Sequence, residues 1–218
     1  METVVLATTD PTALPRALEA LAQGRVIAFP TDTVYGVGAD PWEPAAVARI
    51  YAAKERDAGK PIPLLVAGPD HLWRVVPGLP PVAQALSTAF WPGPLTLVVP
   101  RRATLPDIVT AGGPTVGLRM PDHPWTLTLL RAAGGALAVT SANRSGQGDL
   151  TTAEAVRREL GGRIPLIIDG GPSPGGVAST VVDCSGPEPR VLREGAIPAA
   201  MISAAVQVIR GELEKRET

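Results

Sequence analysis

Residues 25 to 40, RVIAFPTDTVYGVGAD, decide how this chain is read. RVIAFP (25 to 30) is a short apolar run with the composition of a buried strand. TDTVYGVGAD after it reads as a turn-rich loop, too polar and too broken by glycine to extend a regular element. Polar side chains are thereby delivered at the end of a buried strand. Upstream, Asp10-Pro11 followed by Leu14, Ala17, Leu18 and Leu21, then Gly24, predicts a short amphipathic helix with an N-cap, a first-turn proline and a stop. Downstream, a helix fits Trp42 to about Asp57, with Val47, Ile50 and Tyr51 on one face and Lys54 and Arg56 at the C-terminal end, where cations suit the helix dipole.

Further along, IPLLVA (62 to 67), LTLVV (95 to 99), TVGLRM (115 to 120), ALAVTS (136 to 141), IPLIID (164 to 169) and STVVD (179 to 183) read as strands. Helical patterns occupy 80 to 90, 124 to 133, 152 to 160 and 198 to 213. Strands interleaved with helices predict one α/β domain over residues 1–218. With 23 glycines and 24 prolines, a twisted mixed sheet with flanking helices is favoured over a regular doubly wound one. GGPSPGG (170 to 176) reads as a mobile loop.

Composition narrows the function. A chain of 218 residues with 45% hydrophobic content can bury a real core, and 20 basic against 21 acidic residues, a formal charge of -1, argue against a protein held to nucleic acid by bulk charge. Cys184 is the single cysteine, so neither an intrachain disulfide nor a cysteine-based zinc site can form. No run of 18 apolar residues and no basic start before an apolar run are present, so the expectation is a cytoplasmic protein without a membrane partner. The lysines are only Lys54, Lys60 and Lys215, and Asn143 is the only asparagine.

Three polar clusters could carry chemistry. Lys54-Glu55-Arg56-Asp57-Ala58-Gly59-Lys60-Pro61 sets three cations close together, a pattern suited to phosphate; alone, it is also an ordinary solvated helix end. Thr140-Ser141-Ala142-Asn143-Arg144-Ser145-Gly146 runs a strand into hydroxyl and amide groups able to hold phosphate oxygens, or simply into a capped turn. In GLRMPDHP (117 to 124), Arg119 sits in an otherwise apolar strand and requires an anion, either a buried carboxylate of the protein or that of a ligand. His123, alone before a helix, reads as a cap or a surface residue and not as a base. Ser179, Thr180 and Arg193 lie at strand ends.

In the order FPTDTVYGVGAD, KER…KP, FWPGPLT, TVGLRMPDHP, TSANRSG, STVVD and LREGAI, from about Gly24 to Ile197, the chain resembles the YrdC-like family of threonylcarbamoyl-AMP synthases. The resemblance implies a mixed α/β sheet around a concave basic cavity. It also implies an enzyme that joins L-threonine, bicarbonate or CO2, and ATP into threonylcarbamoyl-AMP and pyrophosphate for the t6A modification of tRNA. Carried over by position, Thr33, Arg119 and Ser179 match contacts to L-threonine. Lys54 and Arg56 match a catalytic K-x-R phosphate pair, Ser141 and Asn143 an S-x-N pair, and Thr115 and Arg193 positions along the nucleotide. Mg2+ is expected to ride on the triphosphate, with Asp32 as an outer-sphere partner.

The resemblance departs at two places: Asp57 follows Arg56, and Leu65 stands where relatives carry a substrate-contacting histidine, with Lys60 at the position of an asparagine and a candidate for an oxyanion or bicarbonate. It is the short, single-domain form that the chain resembles. Two other readings stand beside the synthase: an RNA-binding module of the same fold, and a paralogue forming another carbamoyl-adenylate. Aromatic content of 4% leaves few stacking platforms for RNA.

Overall fold

The strands are β1 (Val4–Ala7), β2 (Ile27–Phe29), β3 (Gly36–Ala39), β4 (Leu64–Val66), β5 (Leu95–Pro100), β6 (Thr115–Arg119), β7 (Ala136–Ser141), β8 (Leu166–Asp169), β9 (Thr180–Asp183) and β10 (Arg190–Arg193). The helices are α1 (Ala13–Ala22), α2 (Pro44–Lys54), α3 (Pro81–Phe90), the short α4 (Asp107–Thr110), α5 (Pro124–Ala132), α6 (Ala153–Leu160) and α7 (Ala199–Glu217). They come from a computed structural model that describes residues 2–217; the side chains of Arg210 and of 212–217, Lys215 among them, lie outside the description. One sheet runs β1-β8-β2-β3-β7-β4-β6-β5-β9-β10. Pairings β1·β8, β2·β8, β4·β6 and β5·β9 are parallel and the rest antiparallel, which is the expected mixed sheet.

Alternation along the strands splits the core in two. On one face Ala28, Val37, Leu64, Leu97, Leu118, Ala138 and Ile167 pack against Val47 and Ile50 of α2, Leu86 of α3, Val156 and Leu160 of α6 and Ile202 of α7. On the other, Ile27, Phe29, Leu65, Leu137, Val139 and Ile168 meet Ala17 and Leu21 of α1 and Leu129 and Leu130 of α5. Because α1 rests on β2 and β8, and α5 on β4 and β7, they cover only part of that second face. The side chains it presents on β5, β6 and β9 are left for a cavity.

The elements read from sequence recur, and the differences have physical causes. Residues 36–39, expected as loop, form β3, buried along its whole length. Its glycines are there for close approach: a Cβ at Gly36 or Gly38 would stand 2.7 or 2.8 Å from Val139 methyls on neighbouring β7. Strand β1 has no counterpart among the sequence expectations, since four residues give too little period to recognise. The first helix is capped two residues later than expected: Asp10 Oδ1 accepts from the Thr12 N–H (2.8 Å) and hydroxyl (2.7 Å), and Thr12 precedes the first helical residue.

GGPSPGG is not a free loop. Ser173 N–H donates to Thr151 O (2.8 Å), Gly175 N–H to Asp32 O (3.0 Å), Gly176 N–H to Thr33 O (2.8 Å), and the Tyr35 hydroxyl to Gly171 O (2.7 Å). Turn composition reports how the backbone bends and is blind to what the bend then grips. His123 does cap a helix: its Nδ1 accepts from Thr126 N–H at 3.3 Å, at the start of α5. Among the described residues no helix is long and apolar enough to cross a membrane.

Candidate functional site

A cavity of about 630 Å³ opens over the uncovered half of the second face, within the ~300–1,000 Å³ range of small-molecule sites. Its floor is the alternate residues of three strands, Thr96 and Val98, Thr115, Gly117 and Arg119, and Val181, while the intervening Leu97, Val116, Leu118 and Val182 enter the core behind. The loop 31–35 forms one wall and residues 177–179 with 192–195 another. Seven sequence-named residues line it: Thr33, Arg56, Thr115, Arg119, Ser141, Ser179 and Arg193. Cations and acids share the lining, since Asp149 and Glu194 face the same space as the three arginines.

Arg119 ends β6 beside Leu65 of β4 in register, and is 6% exposed. Its anion is supplied by the protein: Nη2 pairs with Asp32 Oδ1, while Nη1 donates to Thr33 Oγ1 (2.9 Å) and Nε to Gly93 O (3.0 Å). Burial lowers the Arg119 pKa, Asp32 opposes that shift, and the charge of Arg193 adds to it, so the two guanidiniums share one field. Asp32, expected beside a metal, is thus the counter-ion of an arginine. A guanidinium has five N–H donors, so two remain for a ligand carboxylate.

The hydroxyls are ordered by the same accounting. Thr31 Oγ1 donates its one proton to Val34 O (2.6 Å) and accepts from the Thr33 and Val34 N–H groups (3.2 and 3.3 Å), while its oxygen lies 3.0 Å from Thr33 Oγ1. Thr33, already accepting from Arg119, has one lone pair left for a ligand donor. Across the floor, Thr96 Oγ1 and Ser179 Oγ lie 2.8 Å apart, and Arg193 grips Ser179 through its carbonyl oxygen (2.7 Å from Nη2) and hydroxyl (3.3 Å). Leu65 presents an aliphatic surface to the same space.

At the opposite end, Arg56 is part-exposed on the lining, and its guanidinium is tied to the lip by donating from Nε to Lys60 O (3.4 Å) and from Nη2 to Pro61 O (3.0 Å). Asp57, which departs from the family pattern, accepts from Gly59 N–H (2.9 Å) and shapes this turn. Lys60 is exposed and is not among the lining residues, and Lys54 and Asn143 stand behind the wall instead of on it. Lys54 is 1% exposed. Its Nζ donates to Ser141 O, Asn143 O and Asn143 Oδ1, and the Ser141 hydroxyl donates to Asn143 Oδ1. Burial, with the Arg56 charge second, pushes the Lys54 pKa down to about 8.

Sequence reasoning missed Thr96 as a cavity residue and Asp149 altogether. Thr96 closes the quoted FWPGPLT string, so a signal existed; Asp149 had none. Among the described residues no group of three or more His, Cys, Asp or Glu side chains could hold a metal ion.

Comparison with known proteins adds an independent line. Residues 19–195 match the Sua5/YciO/YrdC family, described as "Telomere recombination". Threonylcarbamoyl-AMP synthase of Bacillus subtilis (strain 168) is 43% identical over 202 residues, which cover 92% of this chain and 58% of the relative. Among solved structures, Pyrococcus abyssi Sua5 complexed with L-threonine superposes with a TM-score of 0.87 at 37% identity, over 93% of this chain and 61% of that one. Escherichia coli YciO superposes at 0.80 with 25% identity, over 92% and 98%. The chain therefore spans about 60% of the length of the Bacillus and Pyrococcus relatives.

Proposed function

The chain belongs to the Sua5/YciO/YrdC family, and from that premise we propose that it is a nucleotidyltransferase making threonylcarbamoyl-AMP from L-threonine, bicarbonate or CO2, and ATP. The observation that carries the proposal is the sorting of donors within one cavity. The Arg119 guanidinium and three hydroxyls, of Thr33, Thr96 and Ser179, gather at one end, while a lip cation, Arg56, and Ser141 at the end of β7 stand at the other. The first set suits a small amino acid with a carboxylate and a hydroxyl. The second suits a polyphosphate, with Thr115 and Arg193 along the nucleotide.

The chemistry needs no nucleophile from the protein. Addition of the threonine amine to CO2 forms a carbamate and releases the amine proton. A carbamate oxygen then attacks the α-phosphorus, the bond from that phosphorus to the bridging oxygen of the β-phosphate breaks, and pyrophosphate leaves with the electron pair. The chain's own residues position both reactants and neutralise charge on the phosphates. Mg2+ belongs with the ATP oxygens and water. The described side chains do not compose a cage for it. The carbamoyl-adenylate is a reactive mixed anhydride, consistent with hand-over to tRNA-modifying proteins in the cytoplasm.

The test is release of pyrophosphate from ATP with threonine and bicarbonate each omitted in turn. Dependence on both supports the synthase. Release without threonine, or none under any condition with RNA bound instead, would replace it with a different carbamoyl-adenylate or with an RNA module.

A further inference from the structure

We propose that Lys54 is a positioning residue, a latch that sets the Ser141–Asn143 loop from behind, and does not itself touch the phosphates. The inference deepens the reading above and rests on it only for the identity of the nucleotide.

Donor accounting carries it. A lysine ammonium has three N–H donors, and the three acceptors around Lys54 Nζ, Ser141 O, Asn143 O and, at 3.5 Å, Asn143 Oδ1, belong to the end of β7 and the loop that follows it. With 1% of the residue exposed and no place on the cavity lining, no donor is left over for a ligand. The same residue grips the loop a second time, since its carbonyl accepts from Ser145 N–H at 3.0 Å. The neighbouring Glu55 adds a third tie through Arg144. On the far side, Asn143 Nδ2 donates to Arg144 O (3.1 Å) and Gln147 O (2.6 Å), so the amide that orients the Ser141 hydroxyl is held between these carbonyls and Lys54.

Arg56, two residues on, differs in every respect. It is part-exposed, lines the cavity, and shows only two of its five donors engaged within the protein. It is the cation left for the phosphates. Positions 54 and 56 are thus divided between one residue that shapes the anion site and one that faces the anion.

The experiment compares the parent with Lys54→Met, first without any substrate. If Lys54 is a latch, amide exchange at Ser145 and Gln147 in the ligand-free protein should quicken by about tenfold or more while β2 and α5 keep their protection. In pyrophosphate release, the ATP KM should rise with the threonine KM held within about twofold. Asn143→Ala added to Lys54→Met should cost little further, whereas Arg56→Ala should multiply the loss, because only the first pair acts as one unit. Unchanged ligand-free exchange together with a raised ATP KM would overturn the latch and return Lys54 to the phosphates. Faster exchange across the whole sheet with both KM values intact would overturn it in favour of a merely structural lysine. The exchange measurement needs no substrate, so it stands even if the synthase reading fails.

Discussion

Removing the Asp32 carboxylate tests how the cavity keeps a guanidinium buried. Arg119 and Asp32 have side chains 8% and 11% exposed, so little water screens the pair. In Asp32→Ala, Arg119 retains Thr33 Oγ1 and Gly93 O as neutral acceptors and loses its anion. Stripping one partner from a buried pair costs about 3–5 kcal/mol; with two acceptors remaining, the lower figure applies, and for a chain of this length it corresponds to a fall in Tm of roughly 10 °C. The double variant Asp32→Ala/Arg119→Met removes both charges and fills the space with an apolar side chain. It should regain about 2 kcal/mol relative to the sum of the single variants. Urea denaturation of the four proteins measures the cycle. Additivity to within about 0.5 kcal/mol would refute the reasoning and show that solvent neutralises Arg119. In calorimetry, Arg119→Met should also lose its threonine isotherm and keep nucleotide affinity; an intact isotherm would confine Arg119 to a structural role.

Three further outcomes follow from the same geometry. Arg56→Ala should lower turnover by roughly 10² through lost transition-state stabilisation while remaining folded, and pyrophosphate release within a few-fold of the parent would remove Arg56 from the phosphates. Leu65 offers an aliphatic surface, and one methyl recognised by such a surface is worth little, so discrimination of L-threonine from L-serine should be no better than roughly 10². Thr33→Val removes a partner for the hydroxyl that threonine and serine share, so it should erode discrimination against L-valine; kcat/KM for threonine, serine and valine decides, and rejection of valine untouched by Thr33→Val would remove Thr33 from the substrate hydroxyl. Because Lys54 titrates near 8 in the folded chain against 10.5 for an ordinary, solvated lysine, the unfolded chain holds a proton between those pH values that the folded chain lacks. Stability of the parent relative to Lys54→Met should therefore rise with pH across that window, by up to about 1.4 kcal/mol per unit. A flat difference from about pH 8 to about pH 10 in chemical denaturation would contradict it.

Most of the architecture was legible because it rests on local signals. The apolar runs at 62–67, 95–99 and 136–141 and the amphipathic pattern of 10–24 fix element type by period and caps, whatever the rest of the chain does. What escaped was non-local. Gly36 and Gly38 look like breakers until Val139 is placed against them, and the period of β3 is invisible in GVGA because two of its four residues have no side chain.

The order of residues was enough for the fold class and for most, though not all, of the polar side chains that line the cavity, Asp149 being the exception. Hydrophobic periodicity is a property of consecutive residues and gives the elements, while the family resemblance of the motif strings points to Thr33, Arg119, Ser179 and Arg193. Which groups those residues pair with depends on contacts between distant parts of the chain. Arg119 needed an anion, and nothing in the order of residues says whether protein or ligand supplies it; the packing of the 31–35 loop against β6 brings Asp32 there. Likewise KER presents two cations two residues apart, and the end of α2 divides them. It turns Lys54 inward beneath the loop after β7, leaves Glu55 as a left-handed cap, and brings Arg56 to the cavity lip. The physical reason is common to both cases: burial and the saturation of donors are set by what packs around a side chain, and those neighbours come from distant parts of the chain.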